Sequence, residues 1–186
     1  FVWLISLNRD FFAKPIVFLG AVLLGFWFMW GYEAILNNQH IVALITVYLQ
    51  RSISLTGRTI IYTEMAKIMN DHWLLGFGYG SSYEICRSQI GFADTQNALM
   101  EWIMQIGIIG SVCLIIVLIY AFSKSKNLKN EKQWIWLAGY IYTLIFIGTV
   151  EITYTMYFFA VLVLIYVLGV EVRRRGNECI DQCDFT

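Results

Sequence analysis

The chain has 186 residues, of which 59% are hydrophobic, 17% aromatic and 14% charged, and its thirteen basic and thirteen acidic side chains cancel. A soluble domain carries about 25% charged residues, so the composition points away from an ordinary soluble fold. The absence of net positive charge removes any footing for nucleic-acid binding. One proline in the whole chain leaves long apolar runs free to be helical. Phe1 opens inside an apolar run with neither an initiator methionine nor a signal-peptide pattern, which predicts further spans upstream.

In chain order, Phe1–Leu7 reads as the tail of a preceding span. Residues 15–32, "PIVFLGAVLLGFWFMWGY", carry no charge and reach about 27 Å as a helix, close to the roughly 30 Å of a bilayer core. Trp27, Trp30 and Tyr32 then fall where an aromatic belt belongs. A second apolar run covers residues 99–122, with Glu101 and Gln105 near its start. The third and fourth, residues 134–150 and 155–172, form a hairpin with Glu151 near the turn. Arg9, Lys14, Lys124, Lys126, Lys129, Lys132 and Arg173–Arg175 all fall on one side if each run crosses once. Excess Lys and Arg marks that side as cytoplasmic.

The expected organisation is therefore an all-α integral membrane protein with about four transmembrane helices plus the tail of another. Residues 1–32 hold the end of a span, a cytoplasmic turn and the first full span. Residues 33–98 form a large external segment. Residues 99–172 hold three spans with a cytoplasmic loop at 123–133, and residues 173–186 form a cytoplasmic tail.

The external segment is too long and too patterned for a plain connector. Residues 41–49, "IVALITVYL", are apolar but too short to cross, so they read as an interfacial or half-buried helix. A second interfacial helix begins near Thr56 or Gly57, with Ile60, Ile61, Met65, Ile68 and Met69 at roughly helical spacing. Arg58 falls in its first turn, where free N–H groups already favour an anion, so a bound anion makes sense of a cation placed there. The glycines of "HWLLGFGYG" (72–80) read as a chain reversal using positive backbone angles. They lack the Lys-Ser/Thr of a phosphate-binding loop.

Arginines at an external membrane face suit a phosphate or pyrophosphate, because a guanidinium grips two oxygens and keeps its charge. Arg51, Arg58 and Arg87 are the candidate binders; for each the alternative is a solvated loop charge, with the helix start favouring the anion reading most at Arg58. His72 is either a base or a polar tip beside Trp73. His40 reads as a loop residue. Acids at span ends are costly unless they face a cavity or a partner, which marks Glu101; Glu151 reads as a cap of the hairpin turn. Gly107 and Gly110 read as a close helix-packing step. The cysteines have no partner set for zinc, Cys179 and Cys183 included, and no metal or cofactor is expected.

The order of "GRTIIY" (57–62), "HWLLGFGYG" (72–80) and "TQNALMEWIMQIGIIG" (95–110), followed by a basic loop and a closing hairpin, resembles the O-antigen ligase and O-antigen polymerase superfamily. Its members carry a Gly-Arg-x-x-x-aromatic segment, a His-Pro-Leu-x-Gly-x-Gly turn and a His-Asn pair leading into a Gly-x-x-Gly span. Here Trp73 stands for the proline and Gln96 for the histidine of His-Asn, while Asn97 is retained. That histidine is a proposed catalytic residue of the ligases, so its loss favours a polymerase of capsular, O-antigen or exopolysaccharide type.

The resemblance implies a C-type glycosyltransferase fold in the bacterial cytoplasmic (inner) membrane, working on its outer face. It implies transfer of glycan from undecaprenyl pyrophosphate to a second lipid-linked repeat unit, without metal or nucleotide sugar. Arg58 and Arg87, helped by Arg51 and Asn97, would hold the substrate. Asp94, Glu101 and His72, in that order, would be candidates to deprotonate the acceptor hydroxyl. The partners would be the lipid-linked glycan, the bilayer, chain-length regulators and flippases. The rival readings are an O-antigen ligase, a transporter or flippase of lipid-linked glycans, and a non-catalytic assembly subunit.

Overall fold

The computed structural model describes residues 1–24, 58–149 and 151–183. Among these residues all regular structure is helical, with no strand. The elements are α1 (Val2–Leu7), α2 (Arg9–Phe12), α3 (Pro15–Leu24), α4 (Arg58–Ile68), α5 (Ser82–Ile85), a π-helical turn (Cys86–Ile90), α6 (Ala98–Phe122), α7 (Ser125–Leu128), α8 (Lys132–Ile147) and α9 (Met156–Cys183). Arg51, His40, the expected helix at 41–49 and the aromatic belt at 27–32 lie outside the described residues.

Two helical segments, Ala98–Leu128 and Met156–Glu178, are long and apolar enough to cross a membrane. Their outer faces carry exposed aliphatic side chains, among them Ile116, Val117, Val163 and Val167, all 50% or more exposed. Such a stripe would be costly in water and suits lipid. α8 is apolar but has only 16 residues, about 24 Å of helix.

The chain divides into two compact units. The first comprises residues 1–22, 113–147 and 153–186. Its centre is aromatic. Phe122 stacks on Phe18 at 4.2 Å between ring centroids and meets Trp134 at 5.9 Å and Tyr142 edge-on at 6.1 Å. Hydrogen bonds tie short turns into this centre: Tyr142 donates its hydroxyl to Phe12 O at 2.9 Å, and buried Ser125 donates to Ala13 O at 2.8 Å. Asn127 Nδ2 donates to Gly169 O at 2.8 Å, linking α7 to α9. Past its apolar stretch, α9 continues as a polar helix with i,i+4 ion pairs Arg174–Glu178 and Arg175–Glu171.

The second unit comprises the described residues within 23–112 and 148–152. Ile61, Met65 and Met69 of the α4 region are buried with Cys86, Met100, Ile103 and Met104 in one apolar cluster. Sequence periodicity suggested an interfacial helix here, and the structure corrects this: the apolar face of α4 is covered by protein. The spacing of Ile61, Met65 and Met69 was right; what covers them is the start of α6, too far along the chain for periodicity to report.

Phe122 is fully buried, so Phe122→Ala should cost about 3–5 kcal/mol through the cavity it leaves. A thermal unfolding scan in detergent should show a clear fall in midpoint, whereas Ile116→Ala, at a position 61% exposed, should leave it nearly unchanged.

Candidate functional site

The site begins with a break in a helix. Within α6, Gly107 has φ 67° and ψ −176°, a conformation essentially reserved for glycine. The break frees the carbonyls of Met104 and Gln105 and the amides of Ile108 and Ile109 inside an otherwise apolar helix. An unsatisfied backbone group in such surroundings costs several kcal/mol. The segment "HWLLGFGYG" supplies all four partners. Phe77 N donates to Met104 O at 2.8 Å and Gly78 N to Gln105 O at 2.9 Å. In return, Ile108 N donates to Trp73 O at 2.8 Å and Ile109 N to Leu74 O at 3.2 Å.

This contact is backbone against backbone, which explains its glycines. A Cβ on Gly76 would lie 2.6 Å from Gly107 N and 2.7 Å from Gln105 O, and a Cβ on Gly107 would strike Leu74 O. Gly76, Gly78 and Gly80 all have positive φ, as expected for a turn. The turn does more than reverse the chain, however: it completes the broken helix. Gly107 likewise serves the break and the docked turn rather than a helix–helix approach.

A buried polar cluster sits beside the docked turn. Glu101, 9% exposed, accepts from Ser82 Oγ and, at 2.6 Å, from Gln105 Nε2 through its Oε1. Gln105 Nε2 also reaches Ser82 Oγ at 3.2 Å, and Gln105 Oε1 accepts from Gly80 N at 3.2 Å. Thr95 Oγ1 stands 3.1 Å from Glu101 Oε2 and 2.9 Å from Asn97 O, with one hydrogen to give to either. Glu101 thus joins three segments, α5, the 94–97 turn and α6. The sequence pointed to Glu101 and Gln105, one helical turn apart. Ser82 and Thr95 carry no comparable signal, because small hydroxyl residues are common in loops.

The 94–97 turn is tightly specified. Asp94 Oδ1 accepts from Gln96 N at 2.9 Å, holding Gln96 at a positive φ of 50°. Tyr62 Oη lies 3.5 Å from Gln96 O, so α4 reaches the turn. Asn97, 1% exposed, caps α6: its Oδ1 accepts from Leu99 N at 3.1 Å and Met100 N at 3.0 Å. Its Nδ2 donates to Thr149 O at 3.0 Å, and Ala98 N donates to Gly148 O at 2.9 Å.

The remaining candidates lie further out. Arg58 lies in α4 and is the first of its described residues. Arg87 is exposed on the π-helical turn, where its Nη1 donates to Tyr83 Oη at 2.5 Å and its guanidinium lies 5.8 Å from the Tyr83 ring. His72 is exposed and rests against the Phe77 ring at 4.2 Å. Next to Arg87, Cys86 is buried with its Sγ 3.8 Å from Met104 Sδ. Burial, followed by the nearby Glu101 and Asp94 carboxylates, pushes its thiol up to about 11. Among the described residues no group of three or more His, Cys, Asp or Glu is placed to hold a metal ion.

Gly107→Ala and Gly76→Ala should each impose about 1–3 kcal/mol of backbone strain and, by prising the turn from the break, lower folded yield in detergent. Gly20→Ala, where an added methyl meets nothing within 4 Å, should not. A second outcome concerns Cys86. Because its folded value is raised, thiolate forms only near pH 11, so iodoacetamide at pH 8 should leave Cys86 intact until the protein is denatured. Rapid modification of Cys86 in the folded protein would contradict the burial described.

Among known proteins, no curated sequence and no solved structure matches the chain. A family model described as O-antigen ligase matches residues 1–115, which include the glycine turn, the Asp94–Asn97 turn and the helix break. With that match covering more than half of its length, the chain belongs to the O-antigen ligase family, membrane proteins that carry out O-antigen ligase/polymerase-type glycan processing.

Proposed function

We propose that this chain polymerises undecaprenyl-pyrophosphate-linked oligosaccharide repeat units into a bacterial surface polysaccharide, at the outer face of the cytoplasmic membrane. Family membership supports a glycosyltransferase acting on lipid-linked glycans. The choice of polymerase rests on Gln96. It occupies the position of the ligase histidine in the "TQNALMEW" segment, and a carboxamide cannot take up a proton as an imidazole does. Its left-handed backbone, held by Asp94, supports a turn kept in shape without that base.

In this reading the bond between the donor sugar's anomeric carbon and the pyrophosphate oxygen breaks as the acceptor hydroxyl attacks. The leaving group is undecaprenyl pyrophosphate, and the hydroxyl proton passes to a base. Arg58 and Arg87, with Arg51, bind the pyrophosphate and offset the negative charge that grows on it. Tyr62 supports this assignment for Arg58, because it stands four residues further along α4 and contacts the 94–97 turn. Asp94 is the favoured base, ahead of Glu101 and His72. It is half-buried on that same turn, whereas Glu101 is engaged by three side chains and His72 is exposed. Asn97 acts on substrate only indirectly, through the helix that it caps.

Deletion of the gene should leave single repeat units on the lipid carrier; completed polymer left unattached would instead identify a ligase. Arg58→Ala, at unchanged protein level, should shorten the polymer or abolish it, and full-length polymer from that variant would remove Arg58 from the mechanism. Asp94→Asn should lower turnover by about 10²–10⁴-fold, the usual worth of a general base.

A further inference from the structure

We propose that the open groove between the Asp10–Ile16 turn and α7, in the first unit, binds the phosphate headgroup of an anionic phospholipid. The groove has a volume of about 610 Å³ and is lined by Asp10, Lys14, Ile16, Lys126 and Lys129 together with the backbone turn at Ala13–Pro15. Three cations face one carboxylate. Asp10 pairs with Lys129 at 2.6 Å, while Lys14 and Lys126 are exposed and form no ion pair among the described residues. The excess positive charge is therefore held open to solvent in a concave surface.

The frame that brings the lysines together is built from buried groups. Ser125 Oγ donates to Ala13 O at 2.8 Å, and both residues are 1% exposed or less. Lys14 follows Ala13 and Lys126 follows Ser125, so this single bond sets the two free ammonium groups along one groove.

The same frame fixes the groove's depth relative to lipid. The apolar helix α3 starts at Pro15, directly after Lys14, and the apolar run of α6 ends at Phe122, before Lys124. Both apolar stretches thus end at the groove, the level of a headgroup. Ile16, 68% exposed, lines it with apolar surface against which an acyl chain can lie. Charge complementarity selects the lipid class. A headgroup with net negative charge gains from Lys14 and Lys126, whereas a zwitterionic one brings a positive ammonium group toward them.

The test is a titration of purified protein in detergent with phosphatidylglycerol or phosphatidylcholine, read by native mass spectrometry and by the unfolding midpoint. Phosphatidylglycerol should give a retained adduct and raise the midpoint. The Lys14→Gln/Lys126→Gln double variant should weaken that binding about 30-fold, from roughly 1 kcal/mol per juxtamembrane lysine. Its lipid-free midpoint should match the parent protein, because both side chains are exposed. Lys14→Arg/Lys126→Arg should restore binding, and Lys132→Gln, outside the groove, should change it less than about twofold. Equal retention of both lipids, or unchanged phosphatidylglycerol binding in the double variant, would overturn the proposal. So would inorganic phosphate raising the midpoint as far as the lipid does, since that would identify a free-anion site.

Discussion

Four backbone hydrogen bonds between the 73–78 segment and the break at Gly107 are the constraint on which the second unit depends. A helix opened in apolar surroundings must find new partners for its carbonyls and amides, or the break is too costly to persist. The turn meets that demand only because both surfaces lack a Cβ at the contact, at Gly76 and at Gly107. Once docked, the turn positions Gly80 against Gln105, and Gln105 against Glu101 and Ser82. The polar cluster is thus an extension of the backbone contact.

Around that contact, buried polar groups and exposed ones divide the work. Glu101, Ser82, Thr95 and Asn97 are buried and hydrogen-bonded to the protein, and they fix the geometry of the 94–97 turn and the start of α6. Arg87 and His72 are exposed and rest against single aromatic rings. A buried carboxylate contacted from three segments holds shape well because each segment is tied to the others through it. Exposed guanidinium groups exchange water for a ligand at little cost.

Much of this was legible in the sequence, and the parts that were not share a physical cause. Long apolar runs announced the helices at Ala98–Leu128 and Met156–Glu178, and helical spacing announced the apolar face of α4, though not the protein that covers it. The helix break had no such signal. Gly107 lies in a long apolar run, and a glycine there reads equally as a packing step or a kink. Its meaning comes from Gly76, far away in the chain, and no local pattern reports such a pairing. Asn97 shows the same limit. Its retention in the motif suggested substrate contact, but its side chain is spent on Leu99, Met100 and Thr149.

The break also redistributes the electrostatics of α6. An unbroken helix would present one macrodipole along 25 residues; here there are two shorter ones, meeting at Gly107. The positive end of the second faces the carbonyls of Trp73 and Leu74, which accept from Ile108 and Ile109. In many membrane proteins the N-terminus of a broken helix is the anion's seat. Here protein carbonyls occupy two of those amides, which leaves this helix end less able to seat an anion through its backbone.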